Sequence, residues 1–218
     1  MTLESSKNLG GIGAILLFIG VIPFVQFLWV IGLVGAILIL VALHGLANYY
    51  SERGIFNNAI YGLIAGIVGG IIAVAVAIFT VLTSLTDFLH AIYPNWNGDW
   101  STLQGLTPNT ANITPSDILP FIAGILLVIA VMWIFAIIAA FFTRRSLKLL
   151  STKSSVGLFS TAGLLLLVGA ALIIIFGIGV ILMWISALIL AIAFFTMKPT
   201  EPPAPTAATQ APPAPTPV

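Results

Sequence analysis

Asp87, His90 and Asp99 are the side chains whose types and spacing could do chemistry at one end of the molecule. Asp87 and His90 lie three residues apart, so they share a face if a helix continues through them, and Asp99 follows nearby. Carboxylate and imidazole groups can hold a divalent cation, but a metal site needs three or four ligands. Helix ends beside polar loops also carry such residues for solvation alone. We therefore predict no metal site here, and an enzyme acting through these three groups is our third hypothesis.

His44 is a second candidate because it lies inside an apolar stretch, nine residues before Arg53. An ionisable group within the membrane is a functional hypothesis by default. No acid and no second histidine lies in any apolar stretch to form a relay, and a neutral imidazole bonded to a carbonyl would suffice. The sequence also lacks a Gly-x-Ser-x-Gly elbow, a His-Glu-x-x-His pair and a phosphate loop. We predict no catalytic, cofactor-binding or metal residues, no cofactor and no enzymatic activity.

A basic cluster follows the fourth long apolar stretch. It consists of Arg144, Arg145, Lys148 and Lys153. Near an anionic leaflet each such residue contributes about 1 kcal/mol of attraction, so the cluster predicts binding of lipid headgroups. An anchor that fixes the orientation of the chain would explain the same residues, and the two interpretations are compatible.

The composition decides the class of protein that must position these residues. The 218-residue chain is 60% hydrophobic and only 6% charged, whereas a soluble domain has about 25% charged residues. Its seven basic and six acidic residues provide no basic surface for nucleic acid. The absence of cysteine excludes disulfides, thiol chemistry and cysteine-based metal sites. An integral membrane protein with lipids as its neighbours is the class that fits.

The apolar stretches predict six membrane-spanning helices in residues 1–198, an all-α polytopic bundle. Two runs of 44 residues without a formal charge, between Lys7 and Glu52 and between Lys153 and Lys198, can each hold two spans of roughly 20 residues. A break at Pro23 to Gln26 divides the first run. The predicted spans are about 8–22, 27–49, 56–84, 117–142, 156–176 and 179–197.

The distribution of charge predicts the orientation of this bundle. All seven basic residues fall on one side of the six-span layout, and Asp87, His90, Asp99 and Asp117 fall on the other. Because basic loops remain in the cytoplasm, both termini are predicted to be cytoplasmic, in the cell membrane. The predicted outer loop, 86–116, should be compact with one short helix, its tryptophans in the headgroup layer. It contains a glycosylation sequon at Asn112.

The third span contains a stripe of small residues that predicts close helix packing. Its members are Gly62, Gly66, Gly69, Gly70 and Ala73. The repeat Gly62-x-x-x-Gly66-x-x-x-Gly70 resembles glycine-zipper packing, in which the missing side chains let a neighbouring helix approach. On this interpretation Gly66→Leu should break assembly.

The end of the chain, residues 199–218, is rich in Pro, Ala and Thr, with eight of the thirteen prolines. We expect it to be disordered and largely polyproline-like, with a proline-binding partner as an open alternative.

Each of the two uncharged runs is predicted to form a hairpin of two spans, and the two hairpins could be an internal repeat. Ser5-Ser6 precedes Gly20 by the same spacing that separates Ser154-Ser155 from Gly169.

Three stretches carry a resemblance to one family. SSKNLGGIGAILLFIG, HGLANYYSERGIFNNAIYG and SSVGLFSTAGLLLLVGA, with the segments between them, make residues 3–197 similar to the archaeal membrane family called domain of unknown function 996. That family has no established activity, so the resemblance implies a membrane location and a helical fold but no mechanism.

The sequence therefore favours a non-enzymatic structural, assembly or lipid-organising subunit, oligomeric or bound to other membrane proteins. Its packing signals, including Ala187-x-x-x-Ala191 in the last span, outnumber its candidate sites. The alternative is a passive channel or carrier for a small neutral or lipidic solute. A cavity touching His44 would favour that alternative.

Overall fold

The computed structural model describes residues 2–20, 28–109, 111, 113–175 and 177–198, and every regular element within them is helical. The α-helices are α1 (Leu3–Gly20), α2 (Leu28–Tyr49), α3 (Arg53–Thr80), α4 (Thr86–Ile92), α5 (Pro115–Ser154), α6 (Leu158–Leu172) and α7 (Ile178–Thr196). A π-helical turn, Val81–Leu85, joins α3 to α4, and Trp100–Gly105 forms a 3-10 helix. The predicted break at Pro23 to Gln26, the sequon residue Asn112 and the tail 199–218 lie outside the described residues.

The six long helices form a ring in which each packs against the next. Going round, α1 contacts α2, α2 contacts α3, α3 contacts α5, α5 contacts α6, α6 contacts α7 and α7 returns to α1. Neighbours run antiparallel: Gly62 lies against Ala139 of α5, whereas Gly124, earlier in α5, lies against Thr80. Apolar helices suit this arrangement because each satisfies its own backbone hydrogen bonds. All the basic side chains of the described residues consequently lie towards one end of the ring.

Both hairpins close on a pair of glycines. A Cβ atom added at Gly13 would lie 2.7 Å from the carbonyl oxygen of Gly35, and one added at Gly35 would lie 2.5 Å from the carbonyl oxygen of Gly13. In the α6–α7 hairpin a Cβ at Gly169 would lie 2.8 Å from the carbonyl oxygen of Gly179. Backbone packs directly on backbone at both crossings, which is the contact that small residues permit between membrane helices.

The best-packed core lies at the basic end of the ring. Phe159 and Phe194 are fully buried and meet edge to face, with ring centroids 5.1 Å apart. Two buried hydroxyls connect helices there: Ser146 donates to the carbonyl oxygen of Ile55 at 2.5 Å, and Ser186 donates to that of Ala162 at 2.7 Å. Because both hydroxyls have partners, neither leaves an unsatisfied polar group in the core.

The α3–α5 pair extends beyond the rest of the ring. Trp133 of α5 donates its indole N–H to Ala171 of α6 at 3.1 Å, next to the end of α6. From Trp133 back to Pro115, α5 continues for another 18 residues, about 27 Å along a helix. This outer part carries exposed apolar side chains, among them Phe79 (68% exposed) and Leu82 (71% exposed). It therefore presents a hydrocarbon surface formed by α5 and by α3 with its continuation through the π-helical turn into α4.

Four helices of the described residues are long and apolar enough to cross a membrane: Val30–Tyr49, Arg53–Ile92, Pro115–Ser154 and Ile178–Thr196. Of the remaining two predicted spans, α1 carries charged and polar residues in its first turns and α6 has only 15 residues. The helices continue past residues 84 and 142, where the third and fourth membrane spans are predicted to end. The third helix continues to Ile92, and the fourth continues through the basic residues to Ser154, because Ser146, Leu147 and Leu150 still face the core.

Candidate functional site

The glycine stripe is split between two environments. A Cβ at Gly62 would lie 2.9 Å from the carbonyl oxygen of Ala139, and one at Gly69 would overlap Phe135, so these two glycines face α5, and Ala73 is buried as well. Nothing lies within 4 Å of a Cβ at Gly66 or Gly70. The predicted 62–66–70 repeat is therefore not the packing edge within the chain. Each four-residue step rotates the position by about 40°, which carries Gly66 and then Gly70 away from α5.

A cavity of about 430 Å³ lies between the ring helices and is partly open to the outside. All six ring helices line it, with Leu17, Leu43, Gly66, Leu147, Leu166 and Leu190 as one residue from each. Its two hydroxyls already have partners, since Thr143 donates to Ala139 at 2.9 Å and Ser186 donates to Ala162. The cavity therefore offers hydrocarbon rather than free hydrogen-bonding groups.

The wall on the α2–α3 side is the least covered part of this cavity. Leu63 and Ile67 line it and are 40% and 53% exposed, whereas Leu43 and Leu147 are buried. His44 does not line the cavity. Its ring is exposed and packs against Phe56 of α3, with centroids 4.8 Å apart. The contact between cavity and His44 that would have favoured a channel is thus not present.

At the opposite end from the basic residues, two of the three candidate side chains, His90 and Asp99, make local contacts in the helix end and the loop. His90 Nδ1 lies 2.9 Å from the carbonyl oxygen of Thr86 within its own helix. Asp99 accepts from the backbone N–H of Ser101 at 2.9 Å and from its hydroxyl at 2.8 Å. These two bonds hold the pKa of Asp99 below its usual value, the backbone bond having the larger effect. In the part of the chain that the structure describes, no three His, Cys, Asp or Glu side chains could hold a metal ion.

The loop has a small core of its own that the sequence did not indicate. Trp96 is 4% exposed, donates to the carbonyl oxygen of Asp99 at 2.7 Å, and lies between the rings of His90 and Trp100. We expected the tryptophans to sit in the headgroup layer. Trp100, which is 55% exposed, is free to do so, whereas Trp96 instead orders the loop.

The basic cluster lies on the last turns of α5. Lys153 pairs with Glu52 of the α2–α3 turn at 3.3 Å. Exposed pairs of this kind contribute little stability. Arg145 and Lys148 are exposed and Arg144 is half-buried. Arg53 is exposed and makes no ion pair within the described residues.

Two indoles also join neighbouring helices of the ring, and we predicted neither contact from the sequence. Trp184 of α7 donates to the carbonyl oxygen of Phe18 at 2.9 Å while stacking on its ring, and Trp133 makes the bond to α6 described above. A tryptophan in the middle of an apolar helix was the available signal, because its N–H needs a partner once it is buried.

Comparison with known proteins places the chain in a family without giving it an activity. The chain is 26% identical over 199 residues to "Uncharacterized protein MJ1644" of Methanocaldococcus jannaschii, with 90% of this chain and 94% of that protein covered. No solved structure matches. The sequence profile described as "Protein of unknown function (DUF996)" matches residues 31–188, well over half of the chain, and confirms the resemblance noted in the sequence. The chain belongs to the DUF996 family.

Proposed function

We propose that this protein crosses the cell membrane six times, with both termini in the cytoplasm. The antiparallel ring supports this, because α1 and α6 run beside α2 and α7, two of the four helices that are long enough to cross. The gathering of the basic side chains at one end of the ring fits the positive-inside rule.

Single-cysteine labelling tests this topology, since the chain has no cysteine of its own. On intact cells a membrane-impermeant maleimide should modify Asn97→Cys and should modify Lys148→Cys only after permeabilisation. Ile175→Cys, near the tip of the α6–α7 hairpin, should be modified from outside if α6 and α7 cross fully. Labelling of Asn97→Cys and Lys148→Cys from the same side would contradict the topology, and protection of Ile175→Cys would reduce the number of crossings.

We further propose a non-enzymatic role as an assembly subunit that brings membrane components together. The observation that carries it is the outer part of the α3–α5 pair, whose apolar faces extend beyond the hairpins. Among the described helices only α4, the continuation of α3, also packs there. Gly70 lies on α3 where that outer part begins and has open space around it. It therefore offers a close approach to a helix from another subunit.

Substitutions at two adjacent glycines distinguish an effect on assembly from an effect on folding. Gly70→Leu should lower the association constant of the oligomer about tenfold, which corresponds to the loss of roughly 1.4 kcal/mol of helix packing. The monomer should remain folded. Gly69→Leu is the matched control, because its side chain would overlap Phe135 within the chain and should destabilise the fold itself. Mass photometry in nanodiscs and thermal unfolding report the two effects. An unaltered oligomer in Gly70→Leu would count against assembly through this face.

A passive carrier for a lipidic solute is the second candidate, and the apolar cavity is the observation that favours it. A small polar solute fits poorly, since the only lining hydroxyls are already bonded. Transfer of a fluorescent lipid between leaflets of proteoliposomes, if stopped by a substitution that fills the cavity, would favour the carrier over the assembly subunit.

A further inference from the structure

The cleft between α2 and α3 combines a hydrocarbon pocket with a cation at one end. Along α3 the positions Arg53, Phe56, Leu63 and Ile67 share one face by their spacing. Leu63 and Ile67 line the cavity, the ring of Phe56 meets His44 beside it, and Arg53 stands one turn further towards the basic end. Apolar and charged groups are thus ordered along the cleft as they are along a phospholipid.

The dimensions of the cleft match that class of molecule. From Arg53 to Ile67 is 14 residues, about 21 Å along a helix. The cavity volume of about 430 Å³ lies within the range of about 300–1,000 Å³ that is typical of small-molecule sites. Left empty, its walls would forfeit their dispersion contacts on one side. The least covered wall, at Leu63 and Ile67, opens towards the hydrocarbon of the bilayer.

The charges at the basic end of the cleft fit an anionic headgroup. The nearest carboxylate in the chain, on Glu52, is paired with Lys153. Arg53 is exposed, without an ion pair in the described residues, and a guanidinium can bind a phosphate through two parallel hydrogen bonds.

We propose that the α2–α3 cleft binds one anionic phospholipid of the cytoplasmic leaflet, with a hydrocarbon chain in the cavity and the phosphate at Arg53. The choice of leaflet rests on the proposed topology, whereas the site itself does not. Such a site goes beyond the assembly role, because it makes a particular lipid part of the folded subunit.

Photolabelling of the full chain in vesicles tests the site directly. The probe is phosphatidylglycerol with a diazirine in its chain, diluted into phosphatidylcholine, and mass spectrometry locates the label. We expect the label on cavity-lining positions of α2 and α3. Ile67→Trp should abolish it by filling the cavity, whereas Val68→Trp, one position along the same helix, exposed and outside the lining, should retain it. A label spread evenly over the lipid-facing surface of the unmodified chain would overturn the proposal.

The headgroup half of the proposal has its own control. Arg53→Gln should weaken labelling by phosphatidylglycerol about fivefold, the contribution of one basic residue at an anionic surface. Lys198→Gln, which removes an exposed basic residue outside the basic cluster, should leave labelling unchanged. Equal loss in both variants, or displacement of the probe by inorganic phosphate, would overturn a specific phospholipid site. Labelling only when the probe is in the leaflet opposite Lys148 would refute the assignment to the cytoplasmic leaflet but not the lipid site in the cleft. A failure of the proposed topology can therefore be distinguished from a failure of the site.

Discussion

Gly179→Ala is expected to destabilise the fold by about 3 kcal/mol, at the upper end of the usual cost of overpacking. A single methyl group there would run into the carbonyl oxygen of Gly169 and approach within 2.5 Å of the backbone nitrogen of Ile173. Both obstacles are backbone atoms, so no side-chain rotation can relieve the overlap and α6 and α7 must move apart. Titration with sodium dodecyl sulfate in mild micelles, followed by circular dichroism, measures the loss.

Gly70→Ala is the matched control for this experiment, because it adds the same methyl group to a helix at a position with nothing within 4 Å. Alanine is the better helix former by about 1 kcal/mol, so this variant should be unchanged or slightly more stable. Gly35→Ala should reproduce the loss in the first hairpin, where the added Cβ would lie 2.5 Å from the carbonyl oxygen of Gly13. Equal stability of Gly179→Ala and Gly70→Ala would show that the hairpins do not depend on backbone contact.

Phe194→Ala is expected to cost about 3–5 kcal/mol, the range for removing a fully buried aromatic side chain. Phe194 has no exposed surface, meets Phe159 of α6 edge to face, and lies against Gly10 of α1 so closely that a Cβ there would overlap its ring. Its removal therefore leaves a cavity where α1, α6 and α7 meet. The same denaturation assay measures the effect.

Phe141→Ala makes the same chemical change on a lipid-facing position, since Phe141 is 50% exposed. A side chain that contacts lipid in both the folded and the unfolded state contributes no hydrophobic stabilisation. The free energy of unfolding of this variant should therefore lie within about 0.5 kcal/mol of the parent value, as is usual for surface substitutions. If Phe194→Ala were equally mild, the aromatic core at the basic end would not be what holds the ring together.

Composition alone was enough to predict the class and much of the layout. With 6% charged residues the chain cannot make a water-soluble surface. The longest uncharged stretches of the sequence are those that form the long helices of the structure. The helix α7 begins at Ile178, one residue before the predicted span 179–197, and Gly177 before it has the positive φ that a tight turn between two helices needs. The family followed from three stretches of sequence and is confirmed by the profile match over residues 31–188.

The sequence by itself therefore determined what this protein is made of: apolar helices, the order of their charges and the glycines at their crossings. Only the tertiary structure decided which glycines meet a neighbour, that Glu52 pairs with Lys153, and that six helices line one cavity. The physical reason is that in hydrocarbon every face of such a helix is equally soluble. A small-residue pattern such as Gly62, Gly66 and Gly70 then marks where approach is possible, and the rotation of each helix in the ring selects the positions that are used.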